Sequence, residues 1–145
     1  LRPGTDGRVL ADLSVSELIE KDCIAVQPNM LLGDLITIVQ KSHRNYFPVE
    51  DAATGVFVGM VMLDDIRPYL FNPGMYHAVL LGQIMQTEIE TVHPDDDLPE
   101  ILERMDANHL YSMPVVANER FLGMISKATL LDRYRKELKV QTTLQ

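Results

Sequence analysis

Cysteine is scarce in this sequence, occurring once, at Cys23, so the chain can form no internal disulfide. The thiol sits in the apolar run Cys23-Ile24-Ala25-Val26, where a buried core position is expected, and a reducing cytosolic compartment fits. Long hydrophobic stretches are also missing. Asp, Glu, Lys, Pro or Gly interrupts every apolar run well short of the roughly 18 to 20 residues that a membrane span needs. Positive charge is in short supply, with 13 Lys and Arg against 21 Asp and Glu and a formal net charge of -8. That balance argues against nucleic acid as a partner, because phosphate binding depends on Lys and Arg displacing counterions. Residues Leu1 to Gly7 lack a basic segment followed by an apolar core, so they read as a linker rather than a signal peptide. No Ser/His/Asp set, paired carboxylates or phosphate-loop motif stands out, and the chain is expected not to be an enzyme.

What the chain does have is a repeat. Laid over itself with a shift of 66 residues, it places Leu18 on Ile84, Val26 on Val92, Pro28 on Pro94, His43 on His109 and Pro48 on Pro114. The shift becomes 64 where Gly59 meets Gly123, so the second copy has a hairpin two residues shorter. Each copy reads as a short amphipathic segment (Val15 to Ile19, Leu81 to Met85), a β-rich stretch (Cys23 to Val26, Ile89 to Val92), a helix, two strands and a closing helix. In the second copy Asp97 and Glu100 are spaced as a capping box, with Pro99 in the first turn. Leu35, Ile36, Ile38 and Val39 in one helix, and Ile101, Leu102 and Met105 in the other, mark core-facing stripes. The closing helices are expected to start near Asp64 and Lys127. A β-α-β-β-α unit of about 55 residues buries too little apolar area to stand comfortably alone, so the two copies are expected to pack on each other.

The doubled pattern Phe47-Pro48-Val49, hairpin, Gly59-Met60-Val61-Met62-Leu63-Asp64-Asp65, and its echo Met113-Pro114-Val115, hairpin, Gly123-Met124-Ile125-Ser126-Lys127-Ala128-Thr129, resembles the cystathionine-β-synthase-type (CBS) domain pair. The resemblance implies an α/β (α+β) fold of two tandem CBS repeats packed through their sheets as a pseudo-twofold pair. It places a linker at 1–14, the first repeat at 15–70, a connecting segment at 71–79, the second repeat at 80–135 and a tail at 136–145. It also implies a regulatory module that forms a homodimer through its repeats and binds ATP, ADP or AMP, with no cofactor required. More narrowly, Leu63-Asp-Asp-Ile-Arg-Pro-Tyr-Leu-Phe-Asn-Pro73, running on to Tyr76, is similar to the connection between repeats in cytoplasmic tails of prokaryotic CLC-type chloride channels and transporters. That likeness implies a transmembrane domain of a parent channel as partner and a cytoplasmic place on the inner face of the cell membrane. Two other readings stay open: an energy-sensing CBS module of another protein, and a ligand-free dimerisation module.

The family pattern carries two nucleotide clefts onto this chain. The main one comprises Asp65, Met62, Thr91, Tyr111, Ser112 and Pro114. Asp65 would accept hydrogen bonds from both ribose hydroxyls, Thr91 would meet the adenine edge, Tyr111 would stack on the base, and Ser112 would contact base or sugar. Met62 stands where the family has a phosphate-binding Thr or Ser. The second comprises Ala25, Asn45, Tyr46, Ser126 and Thr129. With Thr129 in place of the usual Asp it has no ribose acceptor, and it is expected to be weak or empty. Plainer roles stand beside these: Asp65 as the cap of its helix, Tyr111 as a core residue, His43 and His109 as helix-end residues, and His93-Pro94-Asp95-Asp96-Asp97 as a capping run rather than a metal site.

Overall fold

The computed structural model describes residues 14–144, and for 141–144 the backbone alone. The elements in chain order are a 3-10 turn (Val15–Glu17), α1 (Leu32–Lys41), β1 (Tyr46–Glu50), β2 (Phe57–Met62) and α2 (Leu63–Ile66). Two further 3-10 turns (Arg67–Tyr69, Pro73–Met75) lead to α3 (Leu81–Ile84), α4 (Leu98–Ala107), β3 (Ser112–Ala117), β4 (Arg120–Ser126) and α5 (Lys127–Leu144). Among the described residues no helix is long and apolar enough to cross a membrane.

Two compact units result, and they exchange their leading segments relative to the sequence repeat. One holds Asp22–Ile89 with the hairpin tip Glu119–Phe121; the other holds the leader up to Lys21 with Glu90–Asn118 and the chain from Leu122 onward. Leu81, from the start of the second repeat, is fully buried in the first unit among Leu35, Phe47, Val61 and Ile66. Val15, from the start of the first repeat, is buried in the second unit among Ile101, Met113, Ile125 and Leu130. These sets are related by the internal repeat, so one apolar pattern builds both cores.

Within the first unit β1 and β2 pair antiparallel, with Tyr46 opposite Met62 and Val49 opposite Gly59, and a bulge follows between Val49 and Glu50. Beside them the expected β-rich stretch shrinks to one residue: Val26 donates to the Pro48 carbonyl (2.8 Å) and accepts from Glu50 (2.8 Å). The second unit repeats this with Val92, which donates to Pro114 (2.9 Å) and accepts from Val116 (2.7 Å). Because only Val26 reaches the core, Cys23 is half-buried rather than a core thiol, and Ile24 and Ala25 are exposed.

Helix ends depart from expectation in two more places. Asp97 occupies the N-cap of α4 but makes no side-chain capping bond. The Asp96 carboxylate instead accepts from the His93 amide (2.9 Å), and Arg104 holds both Glu90 (2.6 Å) and Asp96 (3.6 Å). The closing helix of the first repeat is only four residues long, because Pro68 has no N–H to continue the ladder, whereas α5 runs for 18 residues.

Candidate functional site

The two units present matching junctions where a strand turns into a helix. At the first, β2 ends at Met62 and the Asp65 carboxylate folds back to accept the Met62 amide (2.8 Å). This satisfies one of the amides that a helix start leaves unpaired. The Leu63 amide donates to the Asn45 carbonyl (2.7 Å), which fixes the junction against the entry of β1. The Gln86 side chain donates to both Asp65 oxygens, at 3.1 and 3.0 Å. Gln86 is itself positioned by a reciprocal backbone pair with Met60, at 2.8 and 2.9 Å. A Cβ at Gly59 would lie 2.6 Å from the Gln86 carbonyl oxygen, so the motif glycine is what lets this segment approach.

Next to Asp65 lies a cavity of about 260 Å³ lined by Asn45, Met62, Leu63, Asp64 and Arg67. Asp64 and Arg67 form an ion pair of 2.6 Å at its rim. Met62 and Asn45, which the sequence assigns to different clefts, thus share one cavity. Arg67 and Asp64 are residues that sequence reasoning missed; an Arg two residues after the motif acid was the available signal.

In the second unit the junction has the same backbone and different side chains. Lys127 donates its amide to the Tyr111 carbonyl (2.8 Å), as Leu63 does to Asn45. Ser126 Oγ accepts the Thr129 amide (3.1 Å) and donates to Thr129 Oγ1 (2.8 Å), so Ser126 caps α5 where Asp65 caps α2. Glu20 and Met124 exchange backbone bonds at 2.7 and 2.9 Å, and a Cβ on Gly123 would lie 2.6 Å from the Glu20 carbonyl oxygen.

The remaining sequence candidates separate by unit: Asp65 and Met62 belong to the first, whereas Thr91, Tyr111, Ser112 and Pro114 belong to the second. Tyr111 is not a core residue; it is 80% exposed. Thr91 is exposed and its carbonyl accepts from Arg104 (2.7 Å). Ser112 is half-buried at the start of β3, and Pro114 is buried within that strand. Of the second set, Ala25 and Asn45 are exposed and Tyr46 is half-buried in the first unit, while Ser126 and Thr129 are half-buried in the second. A further cavity of about 320 Å³, lined by Asp22, Ile24, Lys41, Ser42, His43 and Arg44, also escaped sequence reasoning. Its Arg44 bonds Asp22 at 2.6 Å, and that carboxylate holds the guanidinium above its ordinary pKa.

Comparison with known proteins meets this geometry at the level of both repeats: the CBS domain model matches residues 15–72 and again 81–136. The chain belongs to the CBS domain family. A CBS domain-containing protein of Methanocaldococcus jannaschii is 26% identical over 127 residues, spanning 85% of this chain and 96% of the relative. Among solved structures, the CBS domain of a bacterial CNNM/CorC family Mg2+ transporter in complex with ATP has a TM-score of 0.76 at 15% identity, covering 90% of this chain and 92% of that one. The CBS domain pair of protein MJ0100 in complex with 5′-methylthioadenosine and S-adenosyl-L-methionine has a TM-score of 0.69 at 21% identity, covering 86% and 98%. These likenesses establish the fold of this CBS pair.

Proposed function

We propose that this CBS pair is a regulatory module that binds an adenine nucleotide, with Asp65 accepting the ribose hydroxyls. The observation that carries the reading is the fixed Asp65 carboxylate beside the Met62–Arg67 cavity. A carboxylate has two acceptor oxygens for a vicinal diol. Arg67 supplies the cation that Met62, lacking a hydroxyl, does not offer to phosphate. The adenosine ligands in the two neighbouring folds support the same chemistry.

Isothermal titration with adenosine, AMP, ADP and ATP tests this, repeated on Asp65→Ala and Arg67→Met. Asp65→Ala is expected to weaken every ligand by roughly tenfold or more, as loss of a hydrogen bond to a charged group does. Arg67→Met is expected to weaken the phosphorylated ligands and leave adenosine unchanged. Absence of heat with all four ligands, at unchanged melting temperature, would reject the reading in favour of a ligand-free assembly module.

For the parent protein we infer a CLC-type chloride channel or transporter whose cytoplasmic face carries this module as a homodimer. The segment Leu63 to Pro73 supports this; in the structure it folds as α2 and two 3-10 turns, with the Tyr76 hydroxyl donating to the Leu70 carbonyl (2.6 Å). Regulation then requires nucleotide to bind two conformations of the module unequally, since equal affinity shifts nothing. Chloride flux in vesicles carrying the parent protein should respond to nucleotide and lose the response with Asp65→Ala. A catalytic or DNA-binding domain joined to the module in place of membrane helices would overturn this assignment.

A further inference from the structure

The Asp65 carboxylate is already engaged on the side that a diol would use. A carboxylate offers about four acceptor positions, two on each oxygen. Asp65 Oδ2 accepts from the Met62 amide (2.8 Å) and from Gln86 Nε2 (3.0 Å), and Oδ1 accepts from the same nitrogen (3.1 Å). Among the described residues this leaves one position, on Oδ1. Because Gln86 Nε2 is almost equidistant from the two oxygens, it lies astride the carboxylate. A vicinal diol, giving one hydroxyl to each oxygen, needs that same approach. The Met62 amide belongs to the helix start and stays with the fold, whereas Gln86 is exposed.

We propose that Gln86 is an internal competitor for the Asp65 diol site: ribose hydroxyls displace its side-chain amide, and the amide closes the site again when the ligand leaves. The proposal rests on the nucleotide reading of Asp65 and adds the residue that sets the affinity of that site. The exchange needs no movement of the main chain. The Gln86 amide and carbonyl are paired with Met60 at 2.8 and 2.9 Å, and Gly59 admits that approach, so only the side-chain rotamer changes. An exposed amide released from its acceptor is rehydrated, so the competition is worth the net value of a hydrogen bond rather than its gross value. The amide is also neutral and forms no ion pair with Asp65, which keeps it displaceable by hydroxyls. A ligand with one hydroxyl uses the vacant Oδ1 position and leaves Gln86 in place, whereas a cis-diol must move it. Gln86 therefore lowers the preference of the site for ribose over deoxyribose.

Isothermal titration of the full chain and of Gln86→Ala with adenosine and 2′-deoxyadenosine tests this. Gln86→Ala is expected to tighten adenosine by about fivefold, the net value of one hydrogen bond, and to leave 2′-deoxyadenosine within about twofold. Asp65→Asn added to Gln86→Ala should abolish the gain. In the natural protein the side-chain amide resonances of Gln86, identified by their absence from Gln86→Ala, should move toward those of a solvated glutamine as adenosine saturates. Adenosine binding that is unchanged or weaker in Gln86→Ala, yet lost with Asp65→Ala, would overturn the role of Gln86 and leave the Asp65 site standing. Gln86 resonances that bound adenosine does not move would overturn it too, independently of how the variant folds. Equal tightening of both nucleosides would also count against it, since the gain would not come from the diol. No binding of adenosine by either the natural protein or Gln86→Ala would overturn this role and the nucleotide reading together.

Discussion

Glu119 has a backbone φ of +63°, and Asn118 before it has +52°, so the two-residue loop between β3 and β4 is a turn that needs left-handed residues at both positions. Asn tolerates that region, but Glu does not suit it. His109 likewise has φ +54° just past α4, in a Schellman ending where the Leu110 amide bonds the Met105 carbonyl (2.8 Å). Relief of about 1–2 kcal/mol of left-handed strain, set against the greater unfolded-state freedom of glycine, predicts that Glu119→Gly and His109→Gly each stabilise by about 0.5–1 kcal/mol. Thermal melts read this directly, and an unchanged or lower melting temperature would contradict it. Asp51 belongs at the same scale. Bonds from the Thr54 amide, the Thr54 hydroxyl and the Ala53 amide hold its carboxylate below the usual range. A depressed folded pKa means a contribution fully present above the unfolded value of about 3.9 and lost as pH falls through the folded value. Asp51→Asn keeps the turn geometry without titrating. The melting-temperature gap between natural protein and variant should therefore narrow as pH drops below about 4; a gap independent of pH would show that the ionised carboxylate contributes nothing there.

Elements depend on how closely neighbouring backbones approach. Gly59 and Gly123 are the motif glycines of β2 and β4, and each faces a carbonyl of the leading segment that closes its unit, at 2.6 Å from a built Cβ. Adding a methyl there displaces backbone, and at Gly123 it also runs into the Ile19 side chain. Gly59→Ala and Gly123→Ala should therefore each cost about 1–3 kcal/mol, with the larger loss at Gly123, where φ is also +151°. Chemical denaturation would measure both. Loss of less than a few tenths of a kcal/mol would mean that the leading segments move aside freely. The helices follow a simpler rule: α1 and α4 bury Leu35 and Ile101 at matched positions and turn Asp34, Thr37, Glu100 and Glu103 to water.

At the scale of the whole molecule, the exchange of leading segments separates sequence neighbourhood from stability. Leu81 belongs to the second repeat by sequence and to the core of the first unit by packing. Leu81→Ala is expected to cost about 2–5 kcal/mol and to speed amide hydrogen exchange in α1, β1 and β2 while β3 and β4 stay protected. Faster exchange confined to β3 and β4 would refute the exchanged cores. The same feature explains what could be read in advance. Periodicity, the doubled proline and glycine motifs and the spacing of the repeats determined the order of elements, both helical core stripes and the family, because these are local regularities within a few turns of chain. The capping role of Asp65 was legible for the same reason, being a contact over three residues. Contacts across 21 and 109 residues, Asp65 with Gln86 and Thr129 with Glu20, were not legible, nor was the cavity that joins Met62 to Asn45 and Arg67. Only tertiary structure decided them, because which leading segment lies against which strand depends on cores assembled from distant residues, and no local pattern around Thr129 records that a glutamate stands beside it.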